Sequence, residues 1–323
     1  MSKLFLIFPA VILLSIGRIF PYPLITETKI ALGTYVEIKI EKTPQSQKII
    51  EEAFLKIREL ERKMSIFNPE SEISLINKNK KGRISSETKE VILKAIKISK
   101  LTDGAFDITC KPLLDLYRKA PERNFPPSEM EIKRTLKYIG WKKLRIDGNI
   151  LKLKRGMEID LGGIAKGFIV DKIAEFLKKN GIKNGLINAG GDIYCFGLNP
   201  EGEYWKIGIR DPKNREKIIE VIKVSEKGIA TSGDYERYIK IKGEKFSHIV
   251  NPRTGKTVQN FPVSVTVIAS DCTTADGLAT GCFVLGVRKG LELLNKLRNT
   301  EGFIVDGNMR IYRTKYFSDF THP

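Results

Sequence analysis

Between Asp160 and Gly197 the chain reads DLGGIAKGFIVDKIAEFLKKNGIKNGLINAGGDIYCFG, a run that few folds accommodate. Ile164, Ala165, Phe168, Ile169, Ile173, Phe176 and Leu177 fall on one helical stripe, with Lys166, Lys172, Glu175 and Lys179 outside it. Asn180-Gly181 supplies the stop, because glycine takes the left-handed turn that ends a helix without strain. An apolar pair, Leu186-Ile187, then leads to a second glycine pair, Gly190-Gly191, and to Asp192. A glycine pair feeding a helix N-terminus lets backbone approach a ligand closely, and the first-turn N–H groups favour an anion. Lys166 in that first turn adds a positive charge. A bare tight turn at Gly162-Gly163 with a solvated Lys166 fits the same residues, and GGIAKG matches neither standard nucleotide fingerprint.

Around this segment the chain mixes strands and helices without regular βα alternation, which predicts an α+β fold. Ile25 to Lys42 alternates around Gly33-Thr34 as a strand pair. Ile49, Ile50, Ala53, Phe54, Ile57, Leu60 and Met64 mark a helix, and Val91 to Leu101 another. Residues 119–128 read as a surface loop. Ser128 with Glu131 is a capping box for a short helix to Ile139. Leu144–Leu153 is a hairpin on Asp147-Gly148. Strands follow at Trp205–Ile209, Ile218–Val224, Tyr238–Ile241 and Val263–Ala269. Ala275–Leu285 and Gly290–Leu297 read as helices, and Gly302–Tyr312 as a hairpin turning on Asp306-Gly307.

The 323 residues are 41% hydrophobic, enough for a sizeable core, and the net charge of +18 admits nucleic acid or an anionic membrane as partner. The lysines, however, are scattered over the polar faces of most segments, and glutamine occurs only at Gln45, Gln47 and Gln259. That distribution matches thermophilic surface chemistry better than a nucleic-acid stripe, so no nucleic-acid partner is expected. At the N-terminus, Lys3 followed by the apolar Leu4–Ile16 has the export pattern. Residues 1–24 therefore read as a signal peptide or N-terminal membrane anchor, and 25–323 as one large domain on the outer face of the cytoplasmic membrane. The four cysteines, Cys110, Cys195, Cys272 and Cys282, lack metal-site spacing and sit among apolar residues, as buried thiols do.

Asp276 and Thr280, four apart in a helical pattern, face one side. A carboxylate and a hydroxyl so placed suit a hard cation such as Mg²⁺, although Thr280 can equally bond its preceding turn. His248, in SHIVNPRTG, is a candidate general base or phosphate donor, or a hydrogen-bonded turn residue. Asp107 and Asp160 can brace backbone amides. Phe67 can stack on a ring or fill a core.

Taken in order, MSIFNPESEIS (from Met64), FDITCKPL (from Phe106), DLGGIAKG (from Asp160), TSGDY (from Thr231), HIVNPRTG (from His248) and ADGLAT (from Ala275) resemble the FAD:protein FMN transferases of the ApbE family. The resemblance spans about residues 27–315. It implies a single α+β domain of antiparallel-rich sheets with packed helices. It also implies Mg²⁺ held by Asp276, Thr280 and the carbonyls of Gly163 and Ala279, and FAD contacted by Leu32, Phe67, Ala105, Phe106, Asp107, Asp160, Lys166 and Val250. His248 and Asp276 are the implied catalytic residues. The implied reaction passes the FMN half of FAD to a threonine or serine of an acceptor flavoprotein, expected to be a membrane-associated redox subunit, with release of AMP. Two alternatives use the same residues: an FAD pyrophosphatase with water in place of the hydroxyl, and a non-catalytic FAD-binding protein. Departures from the family pattern are Leu32 where methionine is commoner, Asn251 where an acid is common, and no cysteine after the apolar run for lipid attachment.

Overall fold

Eight strands form one long sheet, with buried and less buried side chains alternating along the strands at its two ends. The computed structural model describes residues 22–214, 216–233, 238–258 and 262–321. The Leu4–Ile16 run, and Asp234 and Tyr235 of the TSGDY block, lie outside the described residues. The sheet strands are β1 (Leu24–Ala31), β2 (Thr34–Glu41), β3 (Gly185–Ala189), β4 (Asp192–Phe196), β5 (Lys227–Gly233), β6 (Ser264–Ala269), β7 (Glu301–Val305) and β8 (Ile311–Arg313). They lie side by side in chain order, and every neighbouring pair is antiparallel. The sheet is a meander whose connections carry the helices.

Four helices cover one face: α1 (Ser46–Met64), α2 (Ser86–Leu101), α3 (Ala165–Lys179) and α4 (Cys272–Leu294). Ile38, Ile187, Val265 and Val267 of the sheet share a core with Phe54, Phe168 and Leu278 of the helices. On the other face Leu186, Cys195, Ile229, Ile268 and Phe303 meet Trp205, Ile207, Ile222 and Val224 of a separate hairpin, Trp205–Arg210 with Ile218–Val224. Because both faces are covered there, every residue of β6 is buried, including Ser264 and Thr266 of its run SVTVIA.

The expected α+β architecture is present. One local expectation changes, and two others are refined. Residues 119–128 are not all loop, since Ala120–Arg123 makes one helical turn. The last hairpin pairs Val305 with Ile311, so its turn is wider than Asp306-Gly307 alone. Asp306 accepts from the Asn308 and Arg310 N–H groups at 2.9 Å each, and Met309 takes φ 65°. The two helices expected after Ala275 are present as the two halves of α4, separated by a non-helical break at Gly286 (φ 80°), next to the expected end at Leu285.

The start of α4 is held by two carboxylates. Asp271 caps it through Thr274 N–H at 2.9 Å. Asp171, from α3, accepts from Cys272 N–H and Thr273 N–H at 2.8 Å each and from the Thr273 hydroxyl. Burial pushes the Asp171 carboxyl up to about 6, and the nearby Asp271 charge adds to the rise. A carboxyl raised on folding makes the native state the better proton binder. Its stabilising contribution is therefore complete below its ordinary pKa and is lost as pH rises through about 6. Asp171→Ala would strand two buried N–H groups at about 1–3 kcal/mol each, a loss of roughly 2–6 kcal/mol near pH 4. In urea unfolding, the gap between wild type and variant should narrow as pH rises through that window; a gap that widens would contradict this account.

Candidate active site

Where the open end of the sheet meets the starts of α3 and one face of α4, a cavity of about 440 Å³ opens to solvent. Its wall draws on Thr34 of β2, Gly190 after β3, Thr231–Gly233 of β5, Gly162, Gly163 and Lys166 around the α3 start, and Asp276 and Thr280 of α4. A lobe built on Leu113, Tyr117, Ile139 and Val250 closes the remaining side. This lobe carries the helix Lys111–Arg118, the hairpin Tyr238–Ile241 with Glu244–Ser247, and the segment that follows it, His248–Val250.

The turn before α3 is fixed by the Asp160 side chain and by a bond to the Ile108 backbone. Asp160 Oδ1 accepts from Gly162 N–H at 2.8 Å, and Asp160 N–H donates to Ile108 O at 2.8 Å. Lys166 lies in the first helical turn and forms an ion pair with Asp192. Asp192 is 2% exposed and stands at the start of β4, just after Gly190-Gly191. The two glycine pairs of the central stretch thus meet across this ion pair. A buried carboxylate paired in this way fixes the lysine's position while its charge stays at the cavity wall.

Across the cavity, Asp276 is buried and Gly167 N–H donates to its Oδ2 at 3.1 Å. Burial raises its carboxyl pKa, against the pull of Lys166 and the Gly167 N–H. Thr280 Oγ1 lies 3.1 Å from Ser232 Oγ. A Cβ placed on Gly163 would stand 3.5 Å from Thr280 Oγ1, so Gly163 backbone and Thr280 are neighbours. Among the described residues, no group of three or more His, Cys, Asp or Glu could hold a metal ion. One carboxylate, two hydroxyls and adjacent backbone oxygens form an all-oxygen set, which fits a hard cation such as Mg²⁺ and does not suit zinc.

Asp107 is buried and braces backbone. Its Oδ1 accepts from Thr109 N–H at 2.8 Å and the Thr109 hydroxyl at 2.7 Å, and its Oδ2 from Trp141 N–H at 2.8 Å. That brace sets the Ala105–Cys110 turn along the cavity. Desolvation by burial raises the Asp107 carboxyl. Phe67 is 84% exposed at the mouth, which removes the core reading of this ring. His248 is half-buried and reaches the wall from the lobe, directly after the Glu244–Ser247 strand.

Of the residues singled out in the sequence, Phe67, Ala105, Phe106, Asp107, Asp160, Gly163, Lys166, His248, Val250, Asp276 and Thr280 all line this cavity. Leu32 and Ala279 do not. Leu32 sits in a left-handed turn (φ 56°) and packs against the core, and Ala279 is fully buried inside α4. Cys195, Cys272 and Cys282 are buried as expected, but Cys110 is half-buried and lies on the cavity wall. Burial, then the Asp107 and Asp160 charges, pushes its thiol well above the usual range, so it is a poor nucleophile. Sequence reasoning missed Asp192, Ser232 and Arg118. Asp192 carried a signal in the glycine pair before it, and Ser232 lies within the TSGDY block; Arg118 carried none.

The chain matches the model of the ApbE family over residues 32–304. It is 35% identical to an FAD:protein FMN transferase of Vibrio cholerae over 301 residues, which is 90% of each chain. It is also 35% identical to one of Haemophilus influenzae over 285 residues, 81% of this chain and 82% of that one. Among solved structures, the ApbE protein of Thermotoga maritima superposes with a TM-score of 0.86 at 32% identity, covering 93% of this chain and all of the other. The flavin transferase ApbE of Vibrio cholerae gives a TM-score of 0.83 with the same identity and coverage. With a family match over most of its length, relatives this similar and the same fold, the chain belongs to the ApbE family and is a transferase.

Proposed function

We propose that this chain transfers the FMN half of FAD to a threonine or serine hydroxyl of an acceptor flavoprotein and releases AMP. One observation carries the reading: six blocks far apart in sequence wall a single cavity that has a cationic side, an all-oxygen cluster and an exposed aromatic ring. In this reading Lys166 and the amides around Gly163 face the pyrophosphate, where a helix N-terminus favours an anion. Asp276, Thr280 and the Gly163 backbone would hold Mg²⁺, which when bound would offset charge on the pyrophosphate oxygens. The acceptor hydroxyl oxygen bonds to the FMN-side phosphorus and the P–O bond to AMP breaks. His248 takes the hydroxyl proton. Little covalent work falls to the protein, so positioning and electrostatics supply most of the rate.

The test is incubation with FAD, Mg²⁺ and a threonine-bearing flavoprotein domain, followed by intact mass of that domain. The domain should gain one FMN less a water, with one AMP released per FMN attached. FMN and AMP appearing free, with no gain in acceptor mass, would identify hydrolysis and overturn the transfer reading.

The place of action is part of the same proposal. Among the described residues no helix is long and apolar enough to cross a membrane. The Lys3 and Leu4–Ile16 pattern supports export, with the catalytic domain and a membrane-associated acceptor both outside the cytoplasmic membrane. A reporter that works only after export, fused behind residue 30, should be active; activity of a cytoplasm-only reporter alone would refute this.

A further inference from the structure

We propose that Arg118 is a ligand-binding residue of this site, closing a planar-ring slot whose other wall is Phe67; this rests on the flavin-nucleotide reading above. The helix Lys111–Arg118 buries Leu113 and Tyr117 in the lobe, while Leu114 and Arg118, four residues apart, share a face along the cavity. The Arg118 guanidinium carbon stands 6.0 Å from the centroid of the Phe67 ring and over its face. Its nitrogens are anchored from the edge, Nη1 at 3.4 Å from Asp115 Oδ1 and Nη2 at 3.3 Å from Asp160 Oδ2. Edge anchoring leaves the flat face of the guanidinium available for stacking, which is the use that distinguishes arginine from lysine.

The spacing is the argument. Two planes that sandwich an aromatic ring at van der Waals contact are about 7 Å apart. The 6.0 Å from guanidinium carbon to ring centroid exceeds the roughly 3.5–4 Å of direct contact, and a ring enters between the two once they part by at least about 1 Å. Both walls can yield that ångström, since Phe67 is 84% exposed and the Arg118 side chain 41% exposed. Among the described residues the guanidinium of Arg118 is the one ring–ring or cation–π partner of Phe67, which stands exposed at the mouth. A slot so built takes a planar heteroaromatic ring, and FAD offers two: isoalloxazine and adenine.

The experiment measures dissociation constants of FAD, FMN and ADP by calorimetry for wild type, Arg118→Ala, Arg118→Lys, Phe67→Ala and the double alanine variant. It also measures kcat and KM for transfer. Each single change should weaken FAD by about 3- to 30-fold, with lysine no better than alanine, and should raise KM for FAD while leaving kcat within about twofold. The double variant should lose far less than the product of the two single losses, because one wall without the other holds a ring poorly. The loss should recur with FMN or with ADP, and whichever it is names the ring. Wild-type affinity in Arg118→Lys would overturn the proposal, because a point charge would then suffice. So would a loss shared equally by FMN and ADP, a loss shared by neither, or multiplicative single losses. Tight FAD binding without transfer would instead overturn the transferase reading and leave the slot standing.

Discussion

Asp276→Asn should lower flavin transfer at limiting Mg²⁺ by at least about 10³-fold while the fold and FAD binding largely survive. Asparagine keeps the shape and an acceptor for the Gly167 N–H, now 3.1 Å from Oδ2, so the buried amide is not stranded. What it removes is the only carboxylate of the oxygen cluster. The cation would then rest on neutral hydroxyl and backbone oxygens, and Mg²⁺ dehydrates too reluctantly to bind tightly on such terms. Lys166 and the α3 N-terminus remain to meet the pyrophosphate, so flavin affinity should fall by far less than turnover. Thr280→Val removes a neutral oxygen and the Ser232 contact at 3.1 Å, and its effect on the Mg²⁺ requirement should be the smaller. Transfer rate against Mg²⁺ concentration for the three proteins decides the matter. Wild-type turnover by Asp276→Asn at low Mg²⁺ would place the cation elsewhere.

These residues were legible in the sequence because their signals are local. Four-residue spacing puts Asp276 and Thr280 on one face whatever α4 packs against, and Gly162-Gly163 announces a turn whatever the turn holds. The helices α1 to α4 followed from period and punctuation, as did the Ser128 capping box, found with both of its bonds, whereas β4, β5 and the helix Lys111–Arg118 were not read from the sequence. Tertiary pairing was not legible. Lys166 and Asp192 are 26 residues apart and Asp171 and Thr273 102 apart, and no local pattern tells one solvated lysine or capping aspartate from a paired one. Arg118 looked like one more of many cations, and only the burial of Leu113 and Tyr117 turns it toward the cavity. The last hairpin does turn at Asp306-Gly307, but the loop runs on to Arg310. Asp306 satisfies two N–H groups beyond Gly307, which stabilises a wider loop than the dipeptide signal suggests. The break in α4 was legible: the first helix was read to end at Leu285, next to Gly286, where the helical geometry is interrupted.

Gly167→Ala should destabilise the protein and impair the site together, although helix propensity alone predicts the opposite. Gly167 lies in the first turns of α3, where alanine would gain about 1 kcal/mol over glycine in an open helix. Here the helix is not open. A Cβ at Gly167 would meet Cys272 O at 2.4 Å and Asp276 Cβ at 2.9 Å, and the nearer of these is backbone that cannot rotate away. Overpacking of this kind costs about 1–3 kcal/mol and sometimes more, so the steric term exceeds the propensity gain. Relief requires α3 and α4 to separate. That motion pulls the Gly167 N–H from Asp276 and shifts Asp276 and Thr280 relative to Gly163 and Lys166. The expected outcome is a fall in unfolding free energy of about 1–3 kcal/mol, a higher Mg²⁺ requirement and a transfer rate lower by about 10²-fold, since misplacement of about 1 Å is costly in catalysis. Denaturant unfolding and transfer assays on one preparation test both halves. A Gly167→Ala protein more stable than wild type and fully active would mean that α3 and α4 do not meet closely there, and the coupling of helix packing to the oxygen cluster would fall with it.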